Sequence, residues 1–505
     1  MTSSPSTTPD DPSTAPSPAS TAPGSTSTAP TPTSTAPAWD RWRPLLLRWH
    51  FYAGLLVGPF LLVAAVSGTL YALIPQIDSA VHRHELVVDN PGTPPLPLSE
   101  QIARARAAQP TGTLSSITPP PTATDTTRVV FAVDGLPESY AQTVFVDPYT
   151  GEVRGNLTTL GQWLPTRAWF DELHRNLHLG AFGRNYSELA ASWLWFVALG
   201  GLILWIGYRR RTKKLRRLLT PDRTGPKRHR LLTLHGAVGI WIVIGLLALS
   251  VSGLTWSRWA GANVADLRTS LSWTTPSVST TLTGHDDAPA TGGHHHDAPA
   301  AEAPEQSPKA AEAAAIASVD GVLRTAQQAG LRSPMNLSPP SDSDSAWTVS
   351  ENKRSAPTHY DSISVNPQSY QVIDRVNFAS WPFMAKMTDW IIGAHMGILF
   401  GVVNQILLAA LGIGLIVMVV VGYVMWWRRR PSTSERALPV APRRGALGQL
   451  KPIEAVIVVA VIAFLGWFIP LFGIPLAVFI AVDVIVDAIR NRSVGARQNH
   501  SGACA

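Results

Sequence analysis

Twice in this chain an apolar stretch of bilayer-crossing length opens on a histidine, and the two copies share one register. Residues 49–71 (WHFYAGLLVGPFLLVAAVSGTLY) and 234–256 (LHGAVGIWIVIGLLALSVSGLTW) align without a gap when His50 is set on His235. Gly54 then falls on Gly239, Leu61 and Leu62 on Leu246 and Leu247, and Val66-Ser67-Gly68 on Val251-Ser252-Gly253. A second pair follows: His178-Leu179-Gly180 matches His395-Met396-Gly397, each ahead of a long apolar run that ends in aromatic and basic residues. The chain therefore reads as two copies of one unit, each with two histidines in matching places.

Apolar runs at 45–74, 188–208, 231–256, 406–427 and 453–489 all reach the ~20 residues that cross a bilayer. Eighteen tryptophans cluster near the ends of these runs, as interfacial anchors do. The single cysteine, Cys504, excludes an internal disulfide framework, a thiolate metal site and a CxxCH haem attachment. Any cofactor must be held by other ligands. The excess of 41 Lys and Arg over 34 Asp and Glu lies largely in loops flanking the spans, where it sets topology rather than binding nucleic acid.

Taken in order, residues 1–38 are a Ser, Thr, Ala and Pro tail whose composition predicts disorder. The tail lacks the basic, apolar and small-residue sequence of a cleaved signal, so the first span (45–75) is expected to act as its own membrane signal. Arg41, Arg43 and Arg48 ahead of that span place the N-terminus in the cytoplasm by the positive-inside bias. Residues 76–187 read as an external domain, with a helix over 98–109 and strands at 128–133, 142–146 and 152–154 around an Asp-Pro-Tyr-Thr-Gly turn. The second span (188–208) ends in the basic cytoplasmic loop 209–230, and the third (231–256) goes out again. A second external region, 257–389, opens with a His-rich linker at about 275–308 containing His285 and His294-His295-His296, read as low complexity. A helix over 311–329 and strands at 346–350 and 362–365 follow, an order that repeats the first region, although Val365-Asn366-Pro367 lacks the Thr-Gly turn. Residues 390–427 divide at Asn404-Gln405 into an interfacial helix and the fourth span, and Asn185-Tyr186-Ser187 divides the first copy likewise. An apolar hairpin over 453–489 and a cytoplasmic tail, 490–505, complete six spans.

A histidine in a membrane span is costly to leave without a partner. One alone is satisfied by an interhelical hydrogen bond or by the interface. Two pairs kept in register through a duplication point instead to a shared ligand, and without thiolates or a carboxylate cluster in the spans, bis-histidine haem b is the simplest fit. His50 and His235 start outward-going helices and belong near the inner face; His178 and His395 belong at the outer face. The interval from His50 to Gly68 is about 27 Å at ~1.5 Å per residue, so an inner and an outer histidine cannot share one iron. Two haems are therefore expected, the inner on His50 and His235, the outer on His178 and His395. His174, four residues before His178, stands on the same helical face and has no counterpart in this alignment; it is a ligand in place of His178, a partner of a haem propionate, or a contact of the outer substrate. Gly54, Gly239, Gly68 and Gly253 admit a flat macrocycle or another helix. No GxGxxG, Walker, HExxH or nucleophile-elbow motif is present.

With these residues in hand, the stretch 45–430 resembles the PepSY-associated transmembrane family. The resemblance rests on Trp49-His50 with the Val66-Ser67-Gly68 ending, VDPYTGEV at 146–153, LHRNLHLG at 173–180 and Leu234-His235-Gly236. It implies external PepSY domains of helix-plus-antiparallel-sheet type, a place in the cytoplasmic membrane, and an iron-uptake role through haem-dependent reduction of ferric siderophores. The expected fold is thus an integral membrane α-helical bundle, two duplicated two-helix units plus a C-terminal hairpin, with extracytoplasmic α+β PepSY-type domains. The expected activity is electron transfer from an unidentified cytoplasmic donor to an external ferric chelate, in a lipid bilayer, with no catalytic side chain. The alternative is a non-enzymatic membrane protein whose PepSY domains bind or inhibit an external peptide or protease. A transporter is a third reading, disfavoured because it calls for charged residues in the bundle and the four duplicated spans show almost none, Asp483 and Asp487 in the appended hairpin being the carboxylate candidates within the spans.

Overall fold

The structure is a computed structural model that describes residues 38–282, 308–429, 442 and 450–501, apart from 90 and 93. The N-terminal tail through residue 37 and the histidines of the linker, His285 and His294-His295-His296, lie outside the described residues.

The chain begins in α1 (Ala38–Val81), a 44-residue helix that at ~1.5 Å per residue is about twice as long as a bilayer core is thick. A short turn of helix, α2 (Arg83–Leu86), leads to α3 (Leu98–Ala108) and the strands β1 (Thr113–Thr118), β2 (Thr127–Ala132), β3 (Tyr140–Val146) and β4 (Val153–Leu160). Then come α4 (Pro165–Asn176) and the long α5 (Gly180–Arg211). The second half repeats this order: α6 (Lys227–Leu254), α7 (Trp259–Ser270), α8 (Pro308–Gln328), β5 (Met335–Ser338), β6 (Trp347–Glu351), β7 (Ser362–Val365), β8 (Val372–Val376), α9 (Phe383–His395) and α10 (Gly401–Trp427). A hairpin of α11 (Pro452–Phe468) and α12 (Pro470–Ser501) closes the chain.

The eight strands form one antiparallel sheet in the order β4-β3-β2-β1-β5-β6-β7-β8. The two external regions expected as separate domains are two four-stranded meanders joined edge to edge, where Ile117 pairs with Leu337. Burying these two edges against each other removes two of the four open edges that separate meanders would expose. One face of the sheet carries α3 and α8 side by side, over a core that includes Ile102, Phe131, Val322, Leu337 and Trp347. Each such side chain, fully buried, stabilises the fold by roughly 1.5–3 kcal/mol. Arg106 on α3 reaches Glu312 on α8 at 2.7 Å, and Asp320 accepts the Leu98 N–H at 2.6 Å, so the halves are also tied by charge.

The two meanders share a turn that their sequences disguise. Asp147 Oδ1 accepts the amides of Tyr149 and Thr150 at 2.8 and 3.2 Å, with Gly151 at φ +72°. In the second half Asn366 Oδ1 accepts the amides of Gln368 and Ser369 at 2.8 and 3.0 Å, with Tyr370 at φ +58°. Both hairpins then slip register at the matching place, Phe145/Val146 and Ser364/Val365. The second turn is intact, built with a tyrosine in a conformation that costs about 1–2 kcal/mol without glycine.

Below the sheet, α1, α5, α6 and α10 pack in that order as a ring of four, with α12 against α5. Among the described residues five helices are long and apolar enough to cross a membrane: α1, α5, α6, α10 and residues 470–487 of α12. The sixth expected span, α11, has 17 residues, or roughly 25 Å at 1.5 Å per residue. Pro470 sets the boundary, and α12 continues as helix to Ser501 through the expected tail. The charged ends anchor the hairpin to α1. Arg41 meets Glu454 at 2.7 Å, and Arg48 Nε donates to Asp483 at 3.0 Å while its Nη1 donates to the Pro442 carbonyl at 2.7 Å. Glu188, a buried carboxylate in α5 that sequence reading passed over, accepts the Trp259 and Ala260 amides at 2.9 Å each and so caps α7.

The breaks before the long helices fall earlier than expected. In the first half α4 ends at Asn176, and Leu177, His178 and Gly180 all have φ +56°. In the second, α9 ends at His395 and Gly401 has φ +55°. The polar residues expected to mark the breaks lie inside the following helices and satisfy their neighbours: Asn404 donates to the Ala394 carbonyl at 2.9 Å, and Gln405 accepts from Gln76 of α1 at 2.6 Å.

Candidate cofactor site

The helix ring brings two histidine pairs to its axis, one near each end. At the end that carries the basic residues 209–217, His50 of α1 faces His235 of α6, ring centres 6.3 Å apart and planes at 77°. At the sheet end His395 of α9 faces His174 of α4, ring centres 6.5 Å apart. His178 is not in this pair. It is exposed, its ring 4.9 Å from that of Trp169, and its amide donates to Asn176 Oδ1 at 2.9 Å. The expectation that His178 pairs with His395 is corrected here, and the cause is local. Helix α4 ends at Asn176, and Leu177 and His178 itself are left-handed, so the spacing of four no longer puts His174 and His178 on one helical face.

A better register follows from the structure. Setting His174 on His395 also sets Gly180 on Gly401, Val197 on Met418 and Gly201 on Gly422. These positions are equivalent in space as well. Val197 offers its carbonyl to Nδ1 of His50 at 3.1 Å, and Gly201 lies against the same ring. His235, in the other half, has Gly422 against its ring; its buried Nδ1 lacks a well-formed hydrogen bond, the Met418 carbonyl being only a weak partner.

The sheet-end pair is held by the repeated Val-Ser-Gly. Ser67 Oγ lies 3.0 Å from Nδ1 of His174, and Ser252 Oγ lies 2.6 Å from Nδ1 of His395. Each hydroxyl already donates to a carbonyl one turn back, Val63 at 2.8 Å and Ala248 at 2.7 Å. Its oxygen is therefore the acceptor, which puts the imidazole proton on Nδ1 and leaves the Nε2 lone pair free. Burial pushes His174 down to about 4; burial, with the charge of His174, pushes His395 down to about 3, so both are neutral near pH 7. Neutral imidazole with a fixed Nδ1–H is the form that ligates a metal.

The spacing also suits an ion held from both sides. A ligating imidazole nitrogen sits about 2.0–2.1 Å from a first-row metal and roughly 1.1 Å from its own ring centre, so two rings on one ion have centres about 6.3 Å apart. Among the described residues no group of three or more His, Cys, Asp or Glu could complete a protein-only metal site. Glycines leave room beside the rings: a Cβ at Gly68 or Gly201 would stand 3.0 Å from the imidazole of His174 or His50, and one at Gly253 would stand 3.9 Å from that of His395. Gly54, one turn beyond His50, faces open space, whereas its counterpart Gly239 meets the Met418 methyl. These donors and clearances fit a flat metal-bearing group at each pair, which His50 and His235, or His174 and His395, would hold.

A ring of membrane-crossing helices carrying an α+β sheet domain on one end defines a polytopic membrane protein. The model of the PepSY-associated TM region matches residues 47–429, and the chain belongs to that family. No curated protein matches the chain.

Sequence reasoning singled out four of these residues, His50, His174, His235 and His395, but gave no role to Ser67, Ser252, Val197, Gly201 or Gly422. The Val-Ser-Gly repeat carried the signal for the serines. The signal for His174 was its distance to the glycine that opens the next helix, which equals that from His395 to Gly401.

Proposed function

We propose that this protein carries electrons through the cytoplasmic membrane to an external ferric chelate by way of two b-type haems. The observation that carries the reading is the pair of facing imidazole couples, with ring centres 6.3 and 6.5 Å apart and three of the four rings held at Nδ1. Haem bound there would supply a one-electron Fe3+/Fe2+ couple. His50 and His235 would hold one group and His174 and His395 the other, about 25 Å apart along α1 at ~1.5 Å per residue. The chain's own part is to fix ring orientation through Val197, Ser67 and Ser252, and to keep water from the couples with the apolar helices around them.

The basic clusters at 209–217 and 428–430 favour the cytoplasm for that end, with the sheet domain outside. The matching element order and register favour an origin by internal duplication. The ferric-chelate assignment rests on the family and on the chemistry of release, since hard oxygen chelators hold Fe2+ less well than Fe3+. The test is reduction in proteoliposomes: dithionite enclosed with the basic end, a ferric siderophore outside, and Fe2+ trapped by a coloured external ligand. Trapping that requires His50 and His395 supports the proposal; trapping at the rate of empty vesicles counts against it.

A further inference from the structure

Directly above the sheet-end histidines, between the sheet and the helix ring, lies an open chamber of about 440 Å³. Its polar lining comprises Gln162, Trp163, Arg167, Asn352, Lys353 and Arg354, together with the hydroxyls of Thr122, Ser333 and Ser355, and among the described residues no carboxylate lines it. The chamber adjoins the site already described. Arg167 is on α4, two turns before His174, and Ile398 of its wall follows His395 in the linker to α10.

Arg167 is the unusual member. It is 8% exposed, yet among the described residues no carboxylate comes within ion-pair distance of its guanidinium. Its Nε reaches the Tyr71 hydroxyl at 3.3 Å and its Nη2 the Met396 carbonyl at 3.4 Å, both long for charged donors, and the Trp163 ring lies 3.8 Å beneath it. Arg354 stands 5.6 Å from the same indole and shares the Tyr360 hydroxyl with Asp389, yet among the described residues it too makes no ion pair. A buried guanidinium loses hydration that a close anion restores. Asp78 accepts the Arg167 amide at 3.2 Å and Asp171 lies near enough to feel the Arg167 charge, but neither carboxylate comes within ion-pair distance of the guanidinium.

We propose that this chamber is a binding site for carboxylate oxygens, which Arg167 and Arg354, both beside Trp163, hold together with Lys353. Arginine suits that chemistry because its planar fork meets a carboxylate with two parallel hydrogen bonds. Two sources bring such oxygens here: a ferric polycarboxylate acceptor entering from outside, or the propionates of a macrocycle on His174 and His395. The first source deepens the reading of the preceding subsection by making the acceptor an anionic chelate.

The test uses the purified full-length protein in detergent, titrated calorimetrically with gallium(III) citrate, which cannot be reduced, and with a neutral gallium trihydroxamate. Lys353→Ala/Arg354→Ala lies outside the helix ring and leaves the histidine pairs in place. A loss of citrate affinity of about tenfold or more in this variant, with trihydroxamate binding unchanged, assigns the site to an external carboxylate chelate; one lost charge-assisted hydrogen bond is worth that much. Equal citrate binding in wild type and variant, but a shifted midpoint potential or lost pigment in Arg167→Met, assigns it to propionates. Citrate affinity and pigment both unchanged in all three substitutions would overturn the proposal. A colourless protein that still needs Lys353 and Arg354 to bind citrate would keep this site while removing the haem reading.

Discussion

Ser67 and His174 meet at 3.0 Å across the α1–α4 contact, and the serine's hydrogen is already committed to the Val63 carbonyl. The hydroxyl can only accept from Nδ1, so it fixes the imidazole's tautomer and makes its other nitrogen more basic. Replacing Ser67 with alanine removes that acceptor and leaves His174 a poorer donor to a ferric centre. The midpoint potential of the sheet-end haem should rise in Ser67→Ala and return in Ser67→Thr, while the basic-end haem stays unchanged. Spectroelectrochemical titration of the purified variants reads both.

The sheet-end pair also separates two histidines four residues apart. His174→Ala should remove about half of the haem, and His178→Ala should leave the content and the spectrum intact, because His178 lies against Trp169 at the surface. Haem per chain, by pyridine haemochrome assay, decides between them.

Glycine clearance makes a graded series. A Cβ at Gly54 meets no protein atom within 4 Å, so Gly54→Ala should leave the fold of the haem-free protein intact, with about 0.5–1 kcal/mol of helix propensity gained. Gly201→Leu would drive its side chain into the His50 ring, which a single Cβ already approaches to 3.0 Å. The basic-end haem should be lost in that variant while the sheet-end haem remains, visible as half the reduced α-band absorbance.

The Arg48–Asp483 pair links α1 to α12, with 3% and 11% of the two side chains exposed. Removing one partner of a pair so buried costs about 3–5 kcal/mol, whereas replacing both by apolar residues is close to neutral. Asp483→Ala should therefore lower the melting temperature in detergent markedly, and Arg48→Met/Asp483→Leu should recover most of the loss.

At the basic end, Asp222 is enclosed by Arg209 at 3.0 Å, Arg217 at 3.2 Å and His229 at 3.1 Å. Burial alone would raise its pKa, but the hydrogen bonds from these three bring it down to about 2. A carboxylate depressed on folding stabilises the fold above its unfolded pKa of about 3.9 and loses that contribution as pH falls through the folded value. Hydrogen-exchange protection of residues 215–226, corrected for intrinsic rates, should be level from pH 7 to about 4 and fall between about 4 and 2.

Much of this arrangement is legible in the sequence. The apolar runs locate four long helices, and the gapless match of 49–71 with 234–256 puts His50 opposite His235. Strands β2, β3, β6 and β7 show as alternating patterns, whereas β1, β5 and β8 are set by pairing with their neighbours in the sheet. The union of the meanders into one sheet depends on the distant contact between Ile117 and Leu337, which no local pattern encodes. His174 was assigned second place to His178 because the helix end between them uses Leu177 and His178 in left-handed conformations, where sequence reading looks for glycine or asparagine. The Asn366 turn was hidden for the same reason, since Tyr370 occupies the glycine position.

The central claim is that each histidine pair holds one haem. The measurement that tests it most directly is the absolute haem content and reduced-minus-oxidised spectrum of the full-length protein, purified from cells supplied with haem precursor. The account predicts about two b haems per chain with sharp, low-spin bis-imidazole bands. It further predicts one haem lost in His235→Ala, one lost in His174→Ala and both in the double variant. A colourless wild-type protein, or pigment indifferent to all four facing histidines, would contradict the account and favour a PepSY membrane protein that binds an external peptide or protease.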